Sequence, residues 1–303
     1  MSAFLHYSAL FLEVYLGLTV ALYMLSMRLP QAGFFARLLA AYASLIVCAC
    51  YGVTVSIFFR LIGYPGLAQW ATARCFKYVM QLTTGVTCEI EDPNNYLNTT
   101  RPAVFIGNHQ SELDVLILGH IFPKYCSVTA KSSLKNTPFL GWFMRLSGSV
   151  FIDRANSKSA RNAMEGAATH MKKDKQSVYM FPEGTRSYAK EPMLLPFKKG
   201  AFHLAVQAGV PIVPVVAANY SNLLYVPDRN FQSGVIQLKV LEPIPTKNLT
   251  AADVEDLTRD TRELMLREII SLTAKQQGKP IAMSAHQGGD GVVKASGAEA
   301  TIS

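Results

Sequence analysis

Charge is scarce at one end of this 303-residue sequence. Residues 1–60 hold only Glu13, Arg28, Arg37 and Arg60 of the chain's 50 charged side chains, although the whole carries a net charge of +8. A shortage so local excludes an ordinary water-facing N-terminal region and divides the sequence into two chemically distinct parts. Cysteine is also sparse. Cys48 and Cys50 fall in an apolar run, Cys75, Cys88 and Cys126 stand alone, and no Cys-x-x-Cys pair occurs. That pattern excludes a zinc or dithiol centre and a disulfide scaffold, and it fits a reducing compartment. Catalytic templates are missing too: there is no Gly-x-Ser-x-Gly elbow, no Walker loop, no dinucleotide Gly-x-Gly-x-x-Gly and no His-Glu-x-x-His site. Neither a metal nor a resident cofactor is expected, and no nucleic-acid partner.

What the first 60 residues do contain is length without charge. Leu38 to Phe59 is a run of 22 uncharged residues, enough as a helix to span a hydrocarbon layer roughly 30 Å thick. Leu5 to Met27 is similar but includes His6 and Glu13. A signal peptide is the competing reading, yet no Lys or Arg precedes the first run and the next segment is again apolar. Residues 1–60 are therefore expected to form a membrane-anchoring helix hairpin linked by Arg28 to Arg37, either crossing the bilayer or lying in one leaflet. Leu67 to Leu82 mixes apolar residues with Arg74 and Lys77. It suits a helix resting on a membrane surface or one packed on the domain.

Beyond this, short apolar runs alternate with helical patterns. Pro102 to Ile106, Ser127 to Ala130, Ser149 to Ile152, Val178 to Phe181, Ile212 to Val216 and Val235 to Leu241 read as strands. Ser157 to Asp174, Lys199 to Ala208 and Ala251 to Lys275 read as helices. The expected fold is α/β, a mainly parallel central sheet flanked by helices, over residues 61–277. Residues 278–303 read as a disordered tail.

Polar motifs recur where these strands end, the edge at which open α/β sheets bind ligands. Ala103 to Gly107 leads into Asn108-His109-Gln110-Ser111-Glu112-Leu113-Asp114, a histidine five positions before an aspartate. Such a pair can take a proton from a hydroxyl, the carboxylate fixing the ring's tautomer. Ser111 is not expected to be a nucleophile, because neighbours two apart on a helix do not face each other. The third strand leads into Asp153-Arg154 and the fourth into Pro182-Glu183-Gly184-Thr185-Arg186-Ser187. That last segment reads either as a plain surface turn or as an anion site with small residues and a guanidinium fork. Seven basic residues and one acid between Lys124 and Arg161 point to an anionic substrate.

These segments, with Gly148 to Arg154 and Val210-Pro211-Ile212-Val213-Pro214-Val215, resemble in content, order and spacing the blocks of the glycerophospholipid acyltransferase family. That family includes the 1-acyl-sn-glycerol-3-phosphate acyltransferases, and the resemblance covers residues 70–245. It implies transfer of an acyl group from acyl-CoA, a co-substrate, to the sn-2 hydroxyl of lysophosphatidic acid at a lipid bilayer. His109 and Asp114 would then be catalytic, and Arg186, Glu183, Gly184, Thr185, Arg154 and Lys131 would form the phosphate site. A cytosol-facing domain on the endoplasmic reticulum is also implied. Acylation of glycerol-3-phosphate or another lysophospholipid, and a non-catalytic protein that binds anionic lipid, stay open as alternatives.

Overall fold

The computed structural model describes residues 2–153 and 156–278, so Arg154 and the tail expected over 279–303 lie outside the described residues. It begins with two helices, α1 (Ser2–Ser26) and α2 (Pro30–Leu61). The link between them is only Met27, Arg28 and Leu29, much shorter than the Arg28 to Arg37 connection expected. Pro30 explains the difference, since proline starts a helix well where the backbone N–H has no partner. Arg37 is tolerated inside α2 because its guanidinium donates to the carbonyls of Thr84 (3.0 Å) and Phe231 (3.1 Å). Both helices are long and apolar enough to cross a membrane, by length and composition.

Helix α3 (Ala68–Thr84) packs on α2, and its Phe76 and Met80 join Phe34 and Cys48 of α2 in one buried cluster. Of the two readings of Leu67 to Leu82, the packed helix is the one observed. The division expected near residue 60 marks a change in composition, and the core continues across it.

The rest alternates as expected: β1 (Val86–Glu91), α4 (Tyr96–Thr99), β2 (Val104–Gly107), α5 (Asp114–Ile121), β3 (Cys126–Lys131), α6 (Leu140–Leu146), β4 (Val150–Ile152) and α7 (Ser157–Asp174). Then follow β5 (Ser177–Met180), α8 (Gly200–Ala208), β6 (Ile212–Ala217), a short hairpin of β7 (Leu224–Tyr225) and β8 (Asn230–Phe231), β9 (Gly234–Val240) and α9 (Val254–Gln277). Seven strands form one sheet in the order β1-β9-β6-β2-β5-β3-β4. Five run parallel, while β9 is antiparallel to β6 and carries β1 with it.

Alternate residues along each strand face opposite sides. Phe105, Tyr179, Val213 and Val215 meet α2, α3 and α5 on one face. Val104, Ile106, Val178, Met180 and Val216 meet α7, α8 and α9 on the other. Covered on both sides, the central strands can be apolar throughout. Because β2, β3, β4 and β5 are parallel, the motifs that follow β2, β4 and β5 emerge on one rim, where Lys131 also ends β3.

Candidate active site

Asn108 anchors the loop between β2 and α5. Its side chain donates to Ala217 O at 3.1 Å and accepts from Ala217 N at 2.8 Å, tying the loop to the end of β6. Asp114, the first residue of α5, folds its carboxylate back over the same loop. Oδ2 lies 2.6 Å from His109 Nδ1 and accepts from the backbone N–H groups of Gln110 (2.8 Å) and Ser111 (3.2 Å). Oδ1 accepts from the Tyr220 hydroxyl at 2.7 Å. A carboxylate ringed by donors acts as an acceptor, so the hydrogen-bond network assigns the shared proton to Nδ1 and leaves the lone pair on Nε2. Phe181 stacks on the imidazole with centroids 4.1 Å apart. The ring is thus held at its face and at one nitrogen, while Asp114 is only 1% exposed.

The turn after β5 is bonded to this loop. Ser187 N donates to His109 O (2.9 Å) and Tyr188 N to Gln110 O (3.0 Å). Glu183, 3% exposed, accepts from His109 N (2.7 Å) and Leu195 N (2.9 Å) through its two carboxylate oxygens. Burial pushes its carboxyl up to about 7, against the opposing pull of those two N–H groups. Both oxygens are committed inside the protein. Glu183 therefore braces the loop and turn and does not present its carboxylate to a ligand at the rim.

Gly184 has φ +71, and a β-carbon there would lie 2.9 Å from Lys198 Cε and 3.1 Å from its Nζ. The positive φ is what favours glycine here, since the tip of the Lys198 side chain could swing away from an added β-carbon. Thr185 is exposed and Arg186 half-exposed. Arg186 Nη1 donates to Glu112 Oε1 (3.1 Å) and to the Tyr188 hydroxyl (3.2 Å), which itself donates to Glu112 at 2.7 Å. Lys131 is exposed at the end of β3, one strand from β5, and makes no ion pair with the Arg186 cluster.

A family model described as Acyltransferase matches residues 89–218, from β1 to just past β6. The 1-acyl-sn-glycerol-3-phosphate acyltransferase of Saccharomyces cerevisiae is 45% identical over 233 residues, 77% of this chain and 76% of that protein. The 1-acyl-sn-glycerol-3-phosphate acyltransferase beta of Homo sapiens is 37% identical over 274 residues, covering 87% and 94%. The chain belongs to the glycerophospholipid acyltransferase family. Its fold is also that of the crystallised 1-acyl-sn-glycerophosphate acyltransferase from Thermotoga maritima, with TM-score 0.61 and 24% identity over 79% of this chain and 97% of that one.

Two residues that the structure brings to this candidate site escaped the sequence reading: Tyr220 under Asp114 and Lys198 beside Gly184. Tyr220 is fully buried, and its hydroxyl accepts from Ser111 N (2.9 Å) and Ser111 Oγ (3.1 Å) while donating to Asp114. It lies 106 residues from Asp114, and no local pattern marks it; the one clue was its place just past the end of a central strand. Lys198 reaches the site because residues 188–199 fold back over Gly184, which spacing alone does not reveal. Ser111 serves the loop, its hydroxyl also accepting from Leu113 N at 3.2 Å, and the Val210 to Val215 block supplies strand β6.

Proposed function

We propose that this enzyme transfers an acyl group from acyl-CoA to the sn-2 hydroxyl of 1-acyl-sn-glycerol-3-phosphate, giving phosphatidic acid and coenzyme A in phospholipid biosynthesis. The observation that carries the reading is the partly exposed His109 bonded to buried Asp114 beside a rim guanidinium, in a chain whose relatives bear that activity in their names.

In this mechanism Nε2 of His109 takes the proton of the acceptor hydroxyl as its oxygen attacks the thioester carbonyl. Asp114 balances the imidazolium through Nδ1. The new C–O bond forms, the C–S bond breaks, and the proton passes from His109 to the departing thiolate. No acyl-enzyme is required, which agrees with Ser111 being buried in hydrogen bonds of its own. Base catalysis of this kind supplies roughly 10²- to 10⁴-fold, and alignment of the two substrates supplies much of the rest.

Arg186 is the first choice for the phosphate. Its Nε is buried and has no partner among the described residues, a donor that a phosphate oxygen would satisfy, and Glu112 would give way to the incoming anion. Lys131 and Arg154 would add charge, while Glu183, Gly184 and Thr185 hold the turn in shape. Labelled acyl-CoA incubated with purified enzyme and a panel of acceptors tests the assignment. Preference for lysophosphatidic acid is expected; preference for glycerol-3-phosphate or another lysophospholipid would move the reading to that acceptor, and no transfer to any would leave only lipid binding.

The bilayer is the proposed setting, with the domain on the cytosolic side of the endoplasmic reticulum. Helix α2 is held along its length: Arg37 bonds to the last residue of α3 and to β8, Gly52 abuts Phe143, and Arg60 donates to Leu146 O at 3.0 Å. A helix about 48 Å long that is fastened in this way cannot cross the hydrocarbon without drawing Arg74 and Lys77 of α3 in with it. This supports a pair embedded in one leaflet, with α1 outermost.

A further inference from the structure

Between Asp114 and Asp153 the sequence contains no acidic residue. Within that stretch the chain leaves the rim at Lys131, passes through a 3-10 turn at Ser132–Asn136 and reaches α6 beside α2. Phe143 packs so closely on Gly52 that a β-carbon there would lie 2.6 Å from its ring, and Arg60 holds the far end of α6 through Leu146 O. Thus α6 flanks the last turns of a helix assigned to the membrane pair. Its outer side is uncovered: Phe139 and Trp142 are 43% and 50% exposed, and their rings pack edge to face with centroids 5.1 Å apart. Leu134 is exposed beside them in sequence.

The backbone at Phe139 is unusual as well. Its φ of 59 and ψ of −59, with Leu140 N donating to Pro138 O at 2.6 Å, make a γ-turn of the rare strained form. Such a conformation persists in a non-glycine residue only where surrounding structure enforces it. Here the residue so held carries an exposed aromatic ring. Arg60, Lys135 and Arg145 are also exposed, and none forms an ion pair among the described residues. Aromatic rings interleaved with unpaired cations suit the headgroup layer of an anionic membrane, where rings sit between water and hydrocarbon and cations meet phosphates.

We propose that the segment from Leu134 to Arg145 is a second membrane contact, seating Phe139 and Trp142 among anionic lipid headgroups and holding the catalytic rim against the bilayer. It rests on the membrane reading of α1 and α2 and adds to it. A lysolipid then reaches the rim along the lipid surface and is never released into water.

The chain has two tryptophans, so Trp70→Phe leaves Trp142 as the only one. The full-length variant is mixed with vesicles of phosphatidylcholine and phosphatidic acid, with and without bromine on the acyl chains near the headgroup. The expected result is flotation with the vesicles, strong quenching of Trp142 by brominated lipid, and protection from aqueous iodide. Flotation with Trp142 unquenched and open to iodide overturns this contact while sparing the membrane reading of the helix pair. Failure to float overturns both. As a second readout, Phe139→Ser with Trp142→Ser should raise KM severalfold for lysophosphatidic acid presented in vesicles, yet leave kcat, and turnover of a short-chain water-soluble lysolipid, unchanged. Equal losses on both acceptors would also overturn the proposal.

Discussion

The His109 loop and the Arg186 turn are joined by backbone hydrogen bonds, yet their side chains live in different surroundings. Asp114 is buried under four donors, from His109, Gln110, Ser111 and Tyr220, and the imidazole is clamped by Phe181. Arg186 is half-exposed, and its partners Glu112 and Tyr188 are exposed side chains. Under the proposed mechanism the difference follows from what each would do. A proton-transfer group gains from fixed geometry and excluded water, whereas a group that binds and releases an anion must remain reachable and exchange partners. The buried half should therefore be sensitive in kcat and the exposed half in KM.

The sharpest attempt to break that contrast is His109→Ala, which should lower kcat roughly 10²- to 10⁴-fold in folded protein; substantial turnover of the purified variant would end the base assignment. Glu183 tests the buried half through stability. Its carboxyl lies at about 7 in the folded protein against an ordinary 4.5, so below pH 4.5 it is neutral folded or unfolded and costs nothing. As pH rises toward 7 the unfolded state ionises first, and the folded state loses stability, on the order of 3 kcal/mol once both are charged. Unfolding of Glu183→Gln and parent enzyme in detergent should thus diverge in the variant's favour as pH rises from 4.5 to 8. A constant gap across that range would contradict the burial argument.

Arg186→Ala should raise KM for the lysolipid about 10- to 100-fold, the worth of a hydrogen bond to a charged group, with kcat near the parent value. A matching fall in kcat with unchanged KM would erase the contrast. Tyr220→Phe removes one hydroxyl from Asp114 and should lower kcat by about tenfold, the scale of a buried hydrogen bond. KM for the lysolipid should stay near the parent value, because the hydroxyl touches Asp114 and Ser111 and not the Arg186 cluster; a rise in KM equal to the fall in kcat would indicate a general loss of packing. The smallest effect belongs to Glu112→Gln. An exposed pair contributes about 0–1 kcal/mol, so stability should hardly change, while loss of the competing carboxylate should lower KM modestly. A raised KM would make Glu112 a helper of phosphate binding instead of its rival.

Much of this arrangement was legible because parallel, doubly covered strands write themselves as short apolar runs. All six expected strands occur within a few residues of their predicted limits, and the rim follows from their shared direction. Strand β1 was missed because Val86-Thr87-Cys88-Glu89-Ile90-Glu91 is an edge strand with only one end deeply buried, so apolar continuity does not mark it. The reversal of β9 depends on pairing partners 20 or more residues away and leaves no local signature. His109 and Asp114 share one short loop, and Glu183 to Arg186 share one turn, so each of those two motifs could be picked out locally. Tyr220 and Lys198 arrive by tertiary folding, and the burial of Glu183 is a property of the loop above it, not of its own neighbours.

Asn108 and Tyr220 also bear on the order of events during synthesis. Asn108 is bonded to a residue 109 positions later, and Ser111 to another at the same separation. A ribosome that has just released the His109 motif has therefore made a histidine and an aspartate without their supports. Until residue 220 has emerged and β6 has docked, the chain lacks the bonds that set the pair, and a nascent or prematurely ended product would carry the motif without the geometry that proton transfer needs.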